Sequence, residues 1–130
     1  MRKIHVQEIP VAVVEATRDN IESMVEDNKI VIFDFWAPWC GPCKQFGPIF
    51  ENASKKHPDV MFAKVNTEEE REIAAHFSIR SIPTVMVFRD AMLVFAQPGS
   101  IPENAIDELI GKVKELDMDE VRKAKGKDLE

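Results

Sequence analysis

An α/β fold, with a central mixed β-sheet of about five strands flanked by four helices, is predicted by three features of this 130-residue sequence. Strand-like runs alternate with stretches of helical apolar spacing, the pattern of a sheet covered by helices on both faces. The run Ile30–Phe35, I-V-I-F-D-F, is almost continuously apolar, as a central strand buried on both sides requires. Two late runs, T-V-M-V-F after Pro83 and then Leu93–Ala96, are separated by too few residues for a crossover helix and are expected to pair antiparallel.

Each element has a local reason. Val11–Ala16 is apolar and β-branched, and Thr17, Asp19 and Asn20 offer caps for a helix that places Ile21, Met24 and Val25 on one face. Beyond Phe35, the residues Phe46, Ile49, Phe50 and Ala53 recur at helical spacing, opposed by Lys44, Gln45, Lys55 and Lys56, until His57-Pro58 stops the pattern. Pro48 lies inside this helix and is expected to bend it. Val60–Val65 reads as the next strand, and Thr67-Glu68-Glu69-Glu70 has capping-box spacing, opening a short helix that presents Ile73, Ala74 and Phe77. Ser100 and Glu103 open the last helix, with Ile106, Leu109, Ile110, Val113 and Leu116 inside. No repeat, low-complexity block or long linker interrupts the chain. Residues 1–116 are therefore read as one domain with its core at about 11–116, and 117–130 as a charged C-terminal tail or helix extension.

Composition narrows the function. Hydrophobic residues make up 45% of the chain, enough for a core that needs no cross-link. The net charge of −6 provides no broad basic field, so affinity for nucleic acid through counterion release is not expected. His5, Gln7, Glu8 and Pro10 interrupt the apolar run a signal peptide needs, and no stretch approaches the roughly 18 apolar residues of a membrane span. A cytoplasmic, reducing setting is the expectation, with no membrane partner.

Both cysteines fall within W-A-P-W-C-G-P-C, at the junction between the central strand and the helix that follows, where open α/β sheets place their sites. Three uses compete. As a staple, a four-residue loop contributes only about 2 kcal/mol, against roughly 3 for a loop of about 15 residues. As a metal clip, the pair lacks partners, because His5, His57 and His76 are not spaced as a second ligand pair. As a redox pair it has a mechanism. The N–H groups of the first helical turn and the helix dipole favour a thiolate at Cys40; Pro42 suits the first turn; Gly41 leaves an approaching substrate room. The pair is expected to sit exposed.

This motif, W-A-P-W-C-G-P-C-K, resembles the active site of the thioredoxin family. The resemblance extends to Asp34, two residues before the first motif tryptophan, to Ser81-Ile82-Pro83-Thr84, to Pro48 in the second helix, to Lys64 in A-K-V-N and to Gly99 before the following helix. It covers roughly Val11–Leu116 and implies a thioredoxin fold. It further implies a protein thiol–disulfide oxidoreductase with no bound cofactor and a redox-active Cys40–Cys43 disulfide. Reducing equivalents would come from NADPH through a separate thioredoxin-reductase-like flavoenzyme. The partners would be disulfide-containing proteins, and the chain a monomer.

The supporting residues carry two readings each. Asp34 breaks an apolar run on a buried strand; burial raises its pKa, and the resemblance implies service to Cys43, whereas the plainer reading is a carboxylate bonded to nearby backbone. Lys64 alternates with Val60 and Phe62, with its amine toward Asp34 or simply snorkelling to solvent. The resemblance implies a cis Ile82-Pro83 bond facing the cysteines. Trp39, Gly41, Pro42, Ile82, Pro83 and Gly99 are assigned to substrate binding, and Trp36 and Pro48 to structural support. Asp90-Ala91 departs from the family's usual glycine-containing hairpin turn, and Pro98 removes an N–H near the docking groove. Two other functions remain open: a disulfide oxidase or isomerase on the same fold, and a docking module that needs no turnover.

Overall fold

The computed structural model describes residues 12–129. Within them, β1 (Val13–Glu15), α1 (Ile21–Asp27), β2 (Ile30–Trp36), α2 (Gly41–Lys56), β3 (Met61–Asn66), α3 (Arg71–His76), β4 (Thr84–Arg89), β5 (Met92–Pro98), α4 (Glu103–Glu115) and α5 (Met118–Leu129) follow in that order. The expected strand start at Val11 and the extension before it lie outside the described residues. One five-stranded sheet has the order β1-β3-β2-β4-β5. β1 and β2 both run parallel to β3, whereas β4 pairs antiparallel with β2 and with β5.

The alternation along β2 divides the interior in two. Ile30 and Ile32 join Phe46, Phe50, Phe62, Val85, Ile106 and Ile110 in a core beneath α2 and α4. Val31, Phe33 and Phe35 join Met24, Ala63, Ile73, Met86 and Phe88 beneath α1 and α3. β2 therefore contributes large side chains to both faces, which explains why its sequence lacks the polar alternation of a half-exposed strand.

Local chemistry differs from expectation at several ends. Asn20 is the N-cap position of α1, but its side chain ties the approach to the helix: Oδ1 accepts from the Thr17 N–H at 2.7 Å and Nδ2 donates to the Glu15 carbonyl at 3.0 Å. The capping box at Thr67–Glu70 does not form. Glu70 is the N-cap position of α3 without a side-chain cap bond, and the Thr67 hydroxyl donates to the Trp36 carbonyl instead. Asn66 organises this turn, its Oδ1 accepting from the Glu68 N–H at 2.9 Å. Ser100 likewise precedes the helix it was expected to open; Pro102 is the N-cap position of α4. Pro102 has extended backbone there, and α4 starts without a side-chain cap bond.

The hairpin between β4 and β5 turns on Asp90 and Ala91, with φ of 52° and 65°. Two successive left-handed residues are the geometry whose twist matches a two-residue hairpin, although neither is glycine. A fifth helix, α5, occupies most of the stretch after Leu116, and Met118 at its start is buried. Arg89 marks this corner from the sheet side. Its Nη1 donates to the carbonyls of Val113, Lys114 and Leu116, supplying donors to the open end of α4.

Candidate active site

The site begins where β2 ends. Six strand residues, apolar but for Asp34, carry the chain to Trp36, and the turn Ala37–Trp39 delivers Cys40 to the N-cap position of α2. Cys40 has extended backbone, Gly41 and Pro42 start the helix, and the Cys43 N–H donates to Cys40 Sγ at 3.2 Å. An N-cap position whose side chain accepts a first-turn N–H is one where the helix end favours negative charge. Cys40 and Cys43 are joined as a disulfide, with Cα atoms 5.2 Å apart.

The pair is not exposed as expected. Cys40 retains 5% of its surface and Cys43 4%, packed with Ala37, Trp36 and Ile82. What faces solvent is the rim: Trp39 is 66% exposed, and Gly41 and Pro42 are exposed beside it. A Cβ built on Gly41 meets nothing within 4 Å and its φ is not in the left-handed region, so the glycine leaves free space above the disulfide rather than satisfying a backbone demand.

Loop residues before β4 form the opposite wall. The Ile82-Pro83 peptide bond is cis, and Cys40 Sγ lies 3.8 Å from the Ile82 carbonyl oxygen. The Pro83 carbonyl accepts from the Gly99 N–H at 2.7 Å, joining the end of β5 to this wall. Gly99 has φ 96°, a conformation side-chain-bearing residues avoid. Cis-proline loop, Gly99 and the Trp39–Pro42 rim thus come together around one sulfur.

Behind the cysteines is a cavity of about 500 Å³ lined by Asp34, Trp36, Cys43, Pro48 and Lys64, among others. Asp34 is 2% exposed, and its Oδ1 has no hydrogen-bond partner among the described residues. Burial pushes its pKa up to about 7, against the smaller opposing pull of the Lys64 charge. Oδ1 at least is not bonded to nearby backbone, as the plainer reading of Asp34 would have it. Register explains the neighbourhood, because Asp34 pairs directly with Lys64 on β3. The amine does not, however, close an ion pair with Asp34. Lys64 Nζ sits 4.4 Å from the Trp36 ring centroid, a cation–π contact. Trp36, half-buried, is fixed from below by Thr67, whose N–H and hydroxyl donate to its carbonyl at 2.8 and 3.1 Å.

α2 continues through Pro48, which reaches the same cavity wall. Asn66 and Thr67 are parts of the site that sequence reasoning overlooked; the available signal was a polar Asn-Thr pair directly at the end of a strand. No cluster of three potential metal ligands occurs among the described residues. His57 instead faces Asp107, with Nε2 and Oδ1 2.8 Å apart.

The comparisons with known proteins agree with this geometry. The family model Thioredoxin matches residues 12–112. Putative thioredoxin 2 of Streptomyces coelicolor is 55% identical over 111 residues, spanning 85% of this chain and 83% of that protein. Thioredoxin of Bacillus subtilis is 35% identical over 102 residues, 78% of this chain and 97% of its own. Among solved structures, a mutant thioredoxin from Halobacterium salinarum superposes with a TM-score of 0.75 at 30% identity, covering 80% of this chain and 92% of that one. The oxidised thioredoxin of Plasmodium falciparum gives 0.70 at 33% identity, covering 78% and 97%. Extending over nearly the whole sheet and its flanking helices, these likenesses lead to one assignment: the chain belongs to the thioredoxin family and is a thiol–disulfide oxidoreductase.

Proposed function

We propose that the enzyme works as a reductant of protein disulfides, with Cys40 as nucleophile and Cys43 as resolving thiol. The observation that carries the reading is the position of Cys40 at the N-cap of α2 with the Cys43 N–H aimed at its sulfur, which favours a thiolate there once the disulfide is reduced. Cys40 thiolate attacks one sulfur of the substrate disulfide; a new S–S bond forms, the substrate bond breaks, and one substrate cysteine leaves as thiolate. Cys43 then loses its proton to Asp34 through the shared cavity and attacks Cys40 Sγ. The mixed disulfide breaks, the second substrate cysteine is released, and the substrate has gained the two electrons that the pair has lost. The oxidised pair described above is the product of that step.

In this scheme Trp39, Gly41, Pro42, Ile82, Pro83 and Gly99 receive the substrate chain, and Trp36 and Pro48 support the site. Lys64 acts on Asp34 through space, restraining the rise of its pKa. Electrons return to the pair from NADPH through a separate thioredoxin-reductase-like flavoenzyme, in a reducing cytoplasmic setting where such a pair is kept as dithiol. Among the described residues no helix is long and apolar enough to cross a membrane. The chain acts as a monomer in this reading, with one complete cysteine pair per copy.

Turnover tests the proposal. Wild type should reduce the interchain disulfides of insulin with dithiothreitol, and Cys40→Ser should reduce them no faster than the uncatalysed background. Equal background rates for both would replace reduction by a docking role, and a strongly oxidising measured redox potential would replace it by an oxidase.

A further inference from the structure

Beside the cis-proline loop lies a second cavity, about 280 Å³, lined by Phe77, Arg80 and Ser81 from one side and by Met86, Gln97 and Pro98 from the sheet. Along the chain its lining adjoins the disulfide site. Ser81 precedes Ile82, whose carbonyl oxygen is 3.8 Å from Cys40 Sγ, and Pro98 precedes Gly99, whose N–H is bonded to Pro83. No acidic side chain lines this cavity.

Arg80 is set apart from the other arginines among the described residues. Arg18, Arg89 and Arg122 each approach a carboxylate, and Arg71 donates to the Glu68 carbonyl. Arg80 is exposed and has no such partner there. Its fork of five donors matches a carboxylate in bidentate geometry, whereas Ser81 and Gln97 supply only neutral polar groups around it. Spacing sets which substrate position it meets. Arg80 precedes by two residues, across a bend, the Ile82 whose carbonyl lies 3.8 Å from the attacking sulfur. A substrate side chain two residues from the attacked cysteine sits about 7 Å along its own extended chain, within the reach of a long arginine side chain beside that carbonyl.

We propose that Arg80 and this cavity form a specificity subsite for an aspartate or glutamate two residues from the substrate cysteine that Cys40 attacks; the proposal rests on the reductase reading above. The rest of the molecule works against such a preference. The net charge of −6 repels acidic peptides at long range, and exposed Glu68 and Glu69 follow the Thr67 that is bonded to Trp36. A preference for acid therefore has a local origin.

The test uses two disulfide-linked peptides, identical except for Glu or Lys two residues to either side of the reactive cysteine. Their kcat/KM values are compared for wild type, Arg80→Lys, Arg80→Gln and Arg80→Glu at low and high salt. Wild type should favour the Glu peptide by about tenfold at low salt and less at high salt, as for a partly exposed charge-assisted contact. Arg80→Lys should keep part of that ratio, Arg80→Gln should remove it, and Arg80→Glu should turn it toward the Lys peptide. A Glu-to-Lys ratio that is the same in all four proteins overturns the subsite and leaves the reductase standing. Failure of wild type to reduce either peptide overturns both.

Discussion

The two faces of β2 are made by the same alternation and put to different uses. Toward α1 and α3, Val31, Phe33 and Phe35 are fully buried, and Phe33 meets Phe88 edge-on with ring centroids 5.7 Å apart. Toward α2 and α4, Ile30 and Ile32 are as well packed, but the series then continues with Asp34 and Trp36. One face has no side-chain polar atom to satisfy at its carboxyl end. The other carries a buried carboxyl with an unpartnered oxygen beside a cavity that reaches Cys43. The contrast teaches how an aspartate with a pKa near 7 is kept in place: the aromatic packing on its back holds the strand while one face, at one end, gives up complementarity.

That division of labour makes the two faces respond oppositely to substitution. Phe33→Ala should cost the most, about 3–5 kcal/mol, because it empties a fully buried aromatic site. Denaturant unfolding measures the loss, and turnover per folded molecule should remain; a fall in activity beyond the fall in folded fraction would break the comparison.

Asp34→Asn should do the reverse, stabilising the protein while slowing it. The carboxyl's pKa in the folded protein, about 7, lies above its ordinary value of 3.8, so the folded state holds the proton more tightly. Its contribution to stability is complete below about pH 4 and is lost as pH rises through about 7. Asparagine has no proton to lose, so the variant should gain about 2–4 kcal/mol on wild type between pH 5 and pH 8.5, a span set by the roughly three-unit shift. Reduction should slow by at least about tenfold near neutral pH, and the rise of rate with pH through about 7 should flatten. A stability gap equal at both pH values would show that the carboxyl is not the group responsible.

The smallest effect calibrates the scale from outside both faces. Ala91 occupies a left-handed conformation at φ 65° in the β4–β5 turn. Ala91→Gly relieves strain of about 1–2 kcal/mol but loosens the unfolded chain by about 0.4–1, leaving a gain of roughly 0.5–1 kcal/mol. Thermal unfolding should move slightly upward with turnover unaltered; destabilisation would mean that this turn is not strained.

Much of this molecule is legible in its sequence because the relevant physics is local. The continuous apolar run of β2, the helical spacing of Phe46, Phe50 and Ala53, and the short link that forces β4 and β5 antiparallel depend on neighbours a few residues away. So does the placing of Cys40 and Cys43 at a strand-to-helix junction, since strand, turn and Pro42 adjoin in the chain. The ends of α3 and α4 were less legible, because a Thr or Ser at cap spacing forms its cap only if nothing else claims the hydroxyl, and the Trp36 carbonyl claims Thr67 from 31 residues away.

The amino-acid order alone therefore determined the fold class, the succession of elements through α4 and the identity of the thiol pair. Tertiary structure decided what surrounds that pair. Only the β2–β3 register sets Asp34 opposite Lys64 while the Lys64 amine goes to Trp36, only the cis-proline loop and Ala37 close over the sulfurs, and only the meeting of β4 with α4 gives Arg89 its three carbonyls. Burial and partnership are properties of segments far apart in the chain, and they exist only once the sheet has brought those segments together.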